Sequence, residues 1–228
     1  MAPDHRTVRL FGFPCRVNSH TNLWTGFVFL DAPETPRYSV PMQVIDTEIP
    51  AVRIVEPGRH VDERGWLSEL WNPDALAEAG VSATFAQDNL THSAAVGVVR
   101  ALHYQVPPYD QGKLIVCLSG AIYDVALDIR VGSPTFGKHV SVTLRGDDAR
   151  QLWIPPGFAH GYCTTAPDTL VFYKLTEPYR ADATGGVLWC DPALAIEWPV
   201  DPADVIVNAR DQSLPLLADL DSPFGWDG

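Results

Sequence analysis

The stretch GVVRALHYQ, residues 97–105, places titratable side chains inside a segment with the composition of a buried β-strand. A second apolar run, KLIVC, follows at residues 113–117, and both runs are rich in strand formers. Burying Arg100, His103 and Lys113 among such residues costs several kcal/mol unless they are paired or used. Cationic groups around one histidine suit a site that binds an anionic substrate and moves a proton beside a carbonyl. A sheet edge with solvated cations and a core histidine explains the pattern equally well.

Length and charge exclude several classes of protein. The chain has 228 residues, of which 46% are hydrophobic, so it holds one or at most two domains with a sizeable core. Its formal net charge of -12 argues against a nucleic-acid binder, which would present a basic field. An anionic ligand must therefore be held by a few local cations.

Cysteine use and hydropathy favour a soluble cytoplasmic protein without membrane contact. No apolar run approaches the roughly 18 residues of a membrane span, and the N-terminus lacks the apolar core of a signal peptide. The four cysteines are widely spaced and form no C-x-x-C pair, so they indicate reduced thiols rather than disulfides or a zinc site. These are Cys15, Cys117, Cys163 and Cys190.

Residues 1–41 differ from the remainder, because prolines interrupt them and no strand or helix period is sustained. We expect either a loosely attached extension or a start assigned too early, with a domain covering residues 42–228. In that domain short strands recur between turn signals, at residues 52–56, 66–71, 97–103, 113–118, 121–129, 138–144, 151–154, 162–165 and 170–175. One short helix is predicted over residues 72–80, capped by Asn72 and ended by Gly80, and a further helical turn before Pro215. Many short strands with few helices predict an antiparallel sandwich or barrel.

Four further segments carry candidate functional residues. His160 closes a strand and tight turn in WIPPGFAH, Tyr173 lies in an apolar strand, and Arg64 and Glu69 lie in DERGWLSE. Gln87 and Asn89 are two residues apart and so share one strand face. Each has an ordinary alternative: a turn cap for His160, a core position for Tyr173, a solvated turn for Arg64, and a hydrogen-bonding loop for the two amides.

These segments together resemble the dTDP-4-dehydrorhamnose 3,5-epimerase family of the cupin superfamily. The matching words run in order through about three quarters of the chain: Asp62-x-Arg64-Gly65, Gln87-x-Asn89, Gly97-Val98-x-Arg100-x-Leu102-His103-x-Gln105, Gln111-Gly112-Lys113, Asp128-x-Arg130-x-Gly132-Ser133-Pro134-Thr135-Phe136-Gly137, Trp153-Ile154-Pro155-x-Gly157-Phe158-Ala159-His160-Gly161, Tyr173-Lys174-x-Thr176 and Trp189-x-Asp191-Pro192. The resemblance implies an all-β, cupin-type jelly-roll sandwich with a few short helices, usually a homodimer. It implies action on a dTDP-linked 4-keto-6-deoxyhexose with no metal and no organic cofactor.

The resemblance also implies roles for individual residues. His103 matches the general base, Tyr173 the general acid on the opposite face of the sugar, and Asp211 the carboxylate that orients the histidine. Lys113 and Arg100 match residues around the 4-keto oxygen and the sugar-proximal phosphate. The other positions implied to contact substrate are Arg64, Glu69, Gln87, Asn89, His160 and Tyr179.

The residue types suit this chemistry. Removing a proton beside a ketone makes an enolate, and a neutral imidazole can accept that proton near neutral pH. A carboxylate on the other ring nitrogen fixes the tautomer, and an ammonium beside the ketone oxygen stabilises the enolate charge. Epimerisation then needs a proton from the far face, which a tyrosine can supply.

The sequence departs from the family pattern at several positions. Ala101 replaces a glycine, Ala181 and Thr184 replace a proline and a glutamate near the nucleotide, and Cys190 replaces an asparagine. Arg100 and His103 are three apart, so a flat strand would aim them at opposite faces. We expect a bulge or twist between them, or an Arg100 that reaches a partner subunit's ligand. Metal-binding cupins carry an H-x-H pair that is missing here, which makes a metal site improbable unless His103, His160 and a carboxylate meet in space.

The motifs predict an epimerase but leave its regiochemistry open, since carbon 3, carbon 5 or both are epimerised within the family. A sugar-nucleotide 3,4-ketoisomerase, which uses the same enolate, is the alternative enzyme. A non-catalytic sugar-nucleotide-binding cupin is the alternative from another class.

Overall fold

A computed structural model of the chain describes residues 42–226 and 228, and antiparallel β-strands dominate it. The strands are β1 Gln43–Asp46, β2 Arg53–Glu56, β3 Arg59–Asp62, β4 Gly65–Ser68, β5 Gln87–Ser93, β6 Val99–Gln105, β7 Lys113–Ser119, β8 Ala121–Asp128, β9 His139–Arg145, β10 Gln151–Ile154, β11 Phe158–Thr164, β12 Thr169–Leu175 and β13 Thr184–Gly186. The helices are α1 Pro73–Glu78 and α2 Ala209–Gln212. No helix in residues 42–226 and 228 is both long and apolar enough to cross a membrane.

Two sheets form a sandwich. One has six strands in the order β1-β2-β10-β7-β12-β5, and the other has five in the order β13-β6-β11-β8-β9. Alternate residues point inward, so Ile115 and Val171 from the first sheet pack against Ile122 and Phe158 from the second. This arrangement confirms the predicted all-β jelly-roll sandwich.

Both outer faces are partly covered. The C-terminal segment packs on the five-stranded sheet, where Leu194 and Phe224 join residues such as Leu127 in a second buried cluster. Leu76 of α1 packs with Leu114 and Trp153 on the outer face of the six-stranded sheet. Asn72 caps α1 by accepting hydrogen bonds from the backbone N–H groups of residues 74 and 75, which confirms the predicted cap. The predicted helical turn before Pro215 is α2.

The β3–β4 hairpin stands apart as a two-stranded sheet of its own. Its side chains include Val61, Trp66 and Leu67, which are 77%, 53% and 65% exposed. An exposed apolar hairpin of this kind is a feature that interfaces often cover.

A bulge in β6 resolves the spacing of Arg100 and His103. His103 pairs with His160 and Arg100 pairs with Tyr162, so β6 spends three residue steps where β11 spends two. Because of the extra residue, Ala101 and Leu102 both lie in the second buried cluster, on the outer face of the five-stranded sheet. Arg100 and His103 both line the cavity between the sheets, which confirms the predicted bulge.

The expectation for residues 1–41 lies outside the described residues. The described part begins at Met42 and contains both sheets and the cavity between them.

Candidate active site

A cavity of about 210 Å³ opens at one end of the sandwich, between the two sheets. The six-stranded sheet contributes side chains from β5, β7 and β12, and the five-stranded sheet contributes side chains from β6, β11 and β13. The lining residues are Asn89, Thr91, Arg100, His103, Tyr104, Gln105, Gln111, Lys113, His160, Tyr162, Tyr173, Leu175, Tyr179, Thr184, Asn208, Arg210 and Asp211.

His103 is held by a buried carboxylate. Its Nε2 lies 2.8 Å from Oδ1 of Asp211, whose side chain is 1% exposed whereas that of His103 is 29% exposed. The other oxygen of Asp211 accepts a hydrogen bond from the backbone N–H of Ala101 in the bulge. Burial alone would raise the pKa of Asp211, but the hydrogen bonds from His103 and Ala101 hold that pKa below its ordinary value. An ionised Asp211 thus fixes the orientation and the tautomer of the His103 imidazole.

Tyr173 belongs to the opposite sheet. It lies on β12, and both it and His103 line the cavity, so a ligand between the sheets has the imidazole on one side and the phenol on the other. Tyr162 is a second phenol in the same cavity, but its hydroxyl lies 2.8 Å from the hydroxyl of Thr91. Burial raises the pKa of Tyr162.

Lys113 begins β7 and is almost fully buried, at 7% exposure. Its Nζ donates a hydrogen bond to the backbone carbonyl of His103 at 3.1 Å. Burial lowers the pKa of Lys113 to about 8, while the negative charge of Asp124 opposes that shift. A cation so poorly solvated, and with two further N–H groups, suits a developing negative charge in the cavity.

His160 and His103 are cross-strand neighbours, each with its own carboxylate. His160 Nε2 lies 2.6 Å from Oδ1 of Asp124, which is fully buried. Burial lowers the pKa of His160 although Asp124 acts in the opposite direction. His160 is therefore a strand residue within β11 rather than a turn cap. The two histidines are bound to different carboxylates, and within residues 42–226 and 228 no group of three or more His, Cys, Asp or Glu side chains is placed to hold a metal ion.

Three glutamines hold the rim of the cavity. Gln87 accepts a hydrogen bond from the backbone N–H of Tyr179 and Gln105 accepts one from that of Arg180. Gln111 donates to the carbonyl of Glu177. These bonds fix the segment that carries the exposed Tyr179 at the cavity.

Two of the sequence-predicted substrate contacts lie away from the cavity. Arg64 is 83% exposed at the turn of the β3–β4 hairpin, where it forms an ion pair with Asp62. Glu69 accepts a hydrogen bond from Asn72. Gln87 does not line the cavity but donates to Asn89, which does, and supports the rim. The other predicted site residues are brought together in the cavity: His103, Tyr173, Asp211, Asn89, Arg100, Lys113, His160 and Tyr179.

Sequence reasoning missed several cavity residues, including Thr91, Tyr162, Asn208 and Arg210. It also missed Asp124, which lies behind His160. Asp124 did carry a signal, because an acid in the middle of the apolar run AIYDVAL is as costly to bury as the histidine of β6. The others are hydroxyl-bearing side chains or exposed polar residues at the start of α2, which look ordinary in a sequence.

Comparisons with known proteins agree on one family. The family model described as dTDP-4-dehydrorhamnose 3,5-epimerase matches residues 46–219. The dTDP-4-dehydrorhamnose 3,5-epimerase of Shigella flexneri is 49% identical over 160 residues, which cover 70% of this chain and 88% of that protein.

Solved structures are similar as well. A dTDP-6-deoxy-D-glucose-3,5-epimerase from Legionella pneumophila, in complex with dTDP-4-keto-L-rhamnose, superposes with a TM-score of 0.75 and 41% identity, covering 79% of this chain and 95% of that one. A 3'-monoepimerase from Streptomyces bikiniensis, in complex with dTDP-quinovose, gives a TM-score of 0.71 and 30% identity, covering 76% of this chain and 87% of that one. With a sandwich cavity that sets a carboxylate-bound histidine opposite a tyrosine, and relatives of this identity over most of its length, the chain belongs to the dTDP-4-dehydrorhamnose 3,5-epimerase family.

Proposed function

We propose that the chain epimerises a dTDP-linked 4-keto-6-deoxyhexose at carbons 3 and 5, as an isomerase of deoxysugar and rhamnose biosynthesis. One observation carries the mechanism: the imidazole of His103, backed by Asp211 at 2.8 Å, and the phenol of Tyr173 line one cavity from opposite sheets. Inversion at a carbon needs a base on one face of the sugar and an acid on the other, and this arrangement supplies both.

The steps follow from the residues. His103 takes the proton from the carbon beside the ketone, and the electron pair of the broken C–H bond moves to the 4-oxygen. The ammonium of Lys113 stabilises the resulting enolate. Tyr173 donates its proton to the opposite face of the same carbon, and solvent later restores both groups. Each of the acid and base functions contributes on the order of 10² to 10⁴ in rate.

Other cavity residues bind the substrate in this proposal. Arg100 is exposed at the cavity and suits the sugar-proximal phosphate, since a guanidinium pairs with phosphate oxygens in a bidentate manner. Asn89 and His160 offer polar groups to sugar hydroxyls, and Tyr179 on the rim offers a ring face to the nucleotide.

The carbon-3 and carbon-5 assignment rests on similarity. The curated relatives of 36–49% identity are 3,5-epimerases, whereas the monoepimerase from Streptomyces bikiniensis is 30% identical. Incubation with dTDP-4-keto-6-deoxyglucose in heavy water, followed by mass spectrometry and NMR, tests the proposal. We expect deuterium at both carbons and inverted configuration at both. One deuterium would identify a monoepimerase, a ketone moved to carbon 3 a ketoisomerase, and binding without deuterium a non-catalytic cupin.

The partner in the proposed assembly is a second copy of the chain. Arg64 and Glu69, which the family resemblance places at the substrate, flank or occupy the apolar β3–β4 hairpin, outside the cavity of their own chain. A dimer that buries Val61, Trp66 and Leu67 would carry Arg64 and Glu69 of one protomer to the cavity of the other.

A hairpin variant tests this assembly. The double change Trp66→Glu and Leu67→Glu is expected to give a monomer by sedimentation, with a raised KM for the nucleotide sugar. Val131→Glu, at a similarly exposed apolar residue outside the hairpin, is the matched control and should remain dimeric. A hairpin variant that stays dimeric, or a monomer with an unchanged KM, would contradict the assignment.

A further inference from the structure

Asp124 is a fully buried carboxylate that lies behind the cavity without lining it. One of its oxygens, Oδ1, lies 2.6 Å from Nε2 of His160. The other, Oδ2, has no hydrogen-bond partner, the one such buried side-chain atom within residues 42–226 and 228. A carboxylate kept from water costs several kcal/mol unless charge or donors compensate it. Its position on the inner face of β8 therefore calls for an explanation.

Lys113 supplies part of that explanation. It reaches toward the same interior from the opposite sheet, and its ammonium spends one N–H on the carbonyl of His103. Burial lowers the pKa of Lys113 to about 8, even though the charge of Asp124 opposes the fall. The amine of Lys113 stabilises an enolate only while it is protonated. The charge of Asp124 favours that protonated form.

His160 supplies the rest. Burial lowers the pKa of His160, which favours the neutral ring with a single N–H. The Asp124 oxygen 2.6 Å from Nε2 accepts a hydrogen bond from that N–H, which leaves Nδ1 as an acceptor. His160 lines the cavity, so this acceptor is available to a sugar hydroxyl.

We propose that Asp124 is a positioning residue for the reaction: without touching the substrate, its carboxylate holds His160 in the Nε2–H tautomer and places a buried negative charge in the interior that the ammonium of Lys113 enters. The cavity then offers the sugar one cationic donor, Lys113, from the six-stranded sheet and one neutral acceptor, His160, from the five-stranded sheet. This inference rests on the proposed function for its kinetic part. The charge state of Lys113 is independent of any substrate.

Other titratable groups surround Lys113 and must be held constant in a test. Besides Asp124 on β8, the titratable groups that line the cavity with Lys113 are Arg100, His103 and Tyr104 on β6, His160 and Tyr162 on β11, Tyr173 on β12, Tyr179 on the rim, and Arg210 and Asp211 on α2.

Asp124→Asn separates charge from shape, because the amide oxygen can still accept from Nε2 of His160. The sign of the effect is fixed: without the carboxylate the ammonium is less favoured, so its pKa falls below about 8 and Lys113 loses its proton at lower pH. The alkaline limb of the kcat profile should therefore move to lower pH. Each unit of movement corresponds to about a 10-fold loss of activity above the limb, with a smaller deficit near pH 6.5.

A substrate-free measurement keeps the inference independent of the proposed function. In protein labelled with ¹³C-lysine, the Lys113 Cε resonance is identified by its loss in Lys113→Arg and titrated by NMR. We expect a midpoint near pH 8 in the native chain and a lower one in Asp124→Asn. An unchanged midpoint overturns the inference, even if the chain epimerises. A lowered midpoint upholds the link between Asp124 and Lys113, even if the substrate class is wrong.

Two further variants close the test. Asp128→Asn removes another fully buried carboxylate from the same strand and face, and should leave the Lys113 midpoint and the alkaline limb unchanged. His160→Gln should raise KM and leave the alkaline limb of the kcat profile unchanged. If that limb moves as far as it does in Asp124→Asn, Asp124 acts only through His160, which contradicts the proposal. If Asp124→Asn fails to fold, Asp124→Ser, which leaves room for a water, takes its place with the same expected and contradicting outcomes.

Discussion

His103 has one ring nitrogen committed and one available. Its Nε2 is bound to Asp211, so Nδ1 is the atom left to meet a proton on a ligand in the cavity. The neighbouring imidazole, His160, is similarly committed to Asp124, but it is more deeply buried and its lowered pKa makes it a poorer proton acceptor. The two cross-strand histidines both lie in apolar strands, but they differ in burial, and His160 is the weaker base.

His103→Asn tests which histidine is the base. We expect the variant to fold normally and to lose deuterium incorporation by roughly 10³-fold or more, because the amide cannot accept the proton. Circular dichroism and thermal melting provide the folding control. Exchange at a near-native rate would transfer the role of base to His160.

Tyr173→Phe tests the division of labour across the cavity. Proton abstraction needs only His103, Asp211 and Lys113, so the variant should still wash deuterium into the sugar with retained configuration. Delivery of a proton to the far face should fail, and epimerised product should fall steeply. The ring is kept, so packing is little changed. Both processes are followed by NMR on one sample, with Tyr162→Phe as the matched loss of a cavity hydroxyl. Undiminished epimerisation in Tyr173→Phe would leave Tyr173 as a sugar contact or core residue.

At the scale of the element, the β6 bulge has a matching feature on β11. A Cβ added at Gly161 would lie 2.3 Å from the Cβ of Ala101, 2.7 Å from its Cα and 2.9 Å from the carbonyl oxygen of Arg100. These are backbone or backbone-proximal atoms, so β6 itself would have to move. The bulge that aims His103 is therefore possible only because β11 carries a glycine opposite it.

Gly161→Ala is expected to lower stability by about 1–3 kcal/mol, as overpacking does, and to lower kcat more than it raises KM, because the base moves. Ala101→Gly, which restores the residue usual in the family, should keep native activity. Added to Gly161→Ala, it should recover part of the loss by removing the closest contact. Urea unfolding and steady-state kinetics measure both effects. A fully stable and active Gly161→Ala would show that the bulge is not held by this contact.

Most strands that the sequence predicted have an apolar face in a buried cluster; β4, predicted from Trp66 and Leu67, is an exception because both side chains are exposed. β7, β8, β10 and β12 were found within one or two residues of their bounds, because their alternating or continuous apolar runs reflect burial in the core. β5 was missed since its inner side chains are polar groups that line the cavity or support it, and its outer ones face solvent at the edge of the sheet. β1, β3 and β13 are short, and their pairing depends on partners that no local pattern reveals.

The start of β11 shows a related limit. The sequence placed the beginning of that strand at Tyr162, whereas it begins at Phe158, directly after a turn at Gly157 with a φ of +89°. The prolines and the glycine of this segment marked the turn correctly. They also led the sequence prediction to treat the next four residues as part of the turn, although these residues begin the strand. His160 is among them, and so its pairing with Asp124 on the adjacent strand was not predicted, although Asp124 itself stands out in its apolar run.

At the scale of the whole molecule, the described residues 42–226 contain both sheets and all the cavity-lining residues named above. We therefore expect a chain that starts at Met42 to keep its fold, its assembly and its activity. Thermal melting, sedimentation and the heavy-water assay compare it with the full chain. A large fall in melting temperature or a change in oligomeric state would show that residues before Met42 contribute to the core or to an interface.

The base and the acid of the proposed reaction belong to different sheets, and this has a consequence for the mechanics of the molecule. The gap between proton acceptor and proton donor is the thickness of the sandwich itself, set by side chains such as Ile115 and Phe158 in the interior. A substitution that narrows or widens that interior changes the distance between the base and the acid. Proton removal and proton delivery each keep their own catalytic group. Interior substitutions remote from the cavity should therefore change the stereochemical fidelity of the reaction. The fraction of enolate that is reprotonated on the face from which the proton was removed would rise or fall.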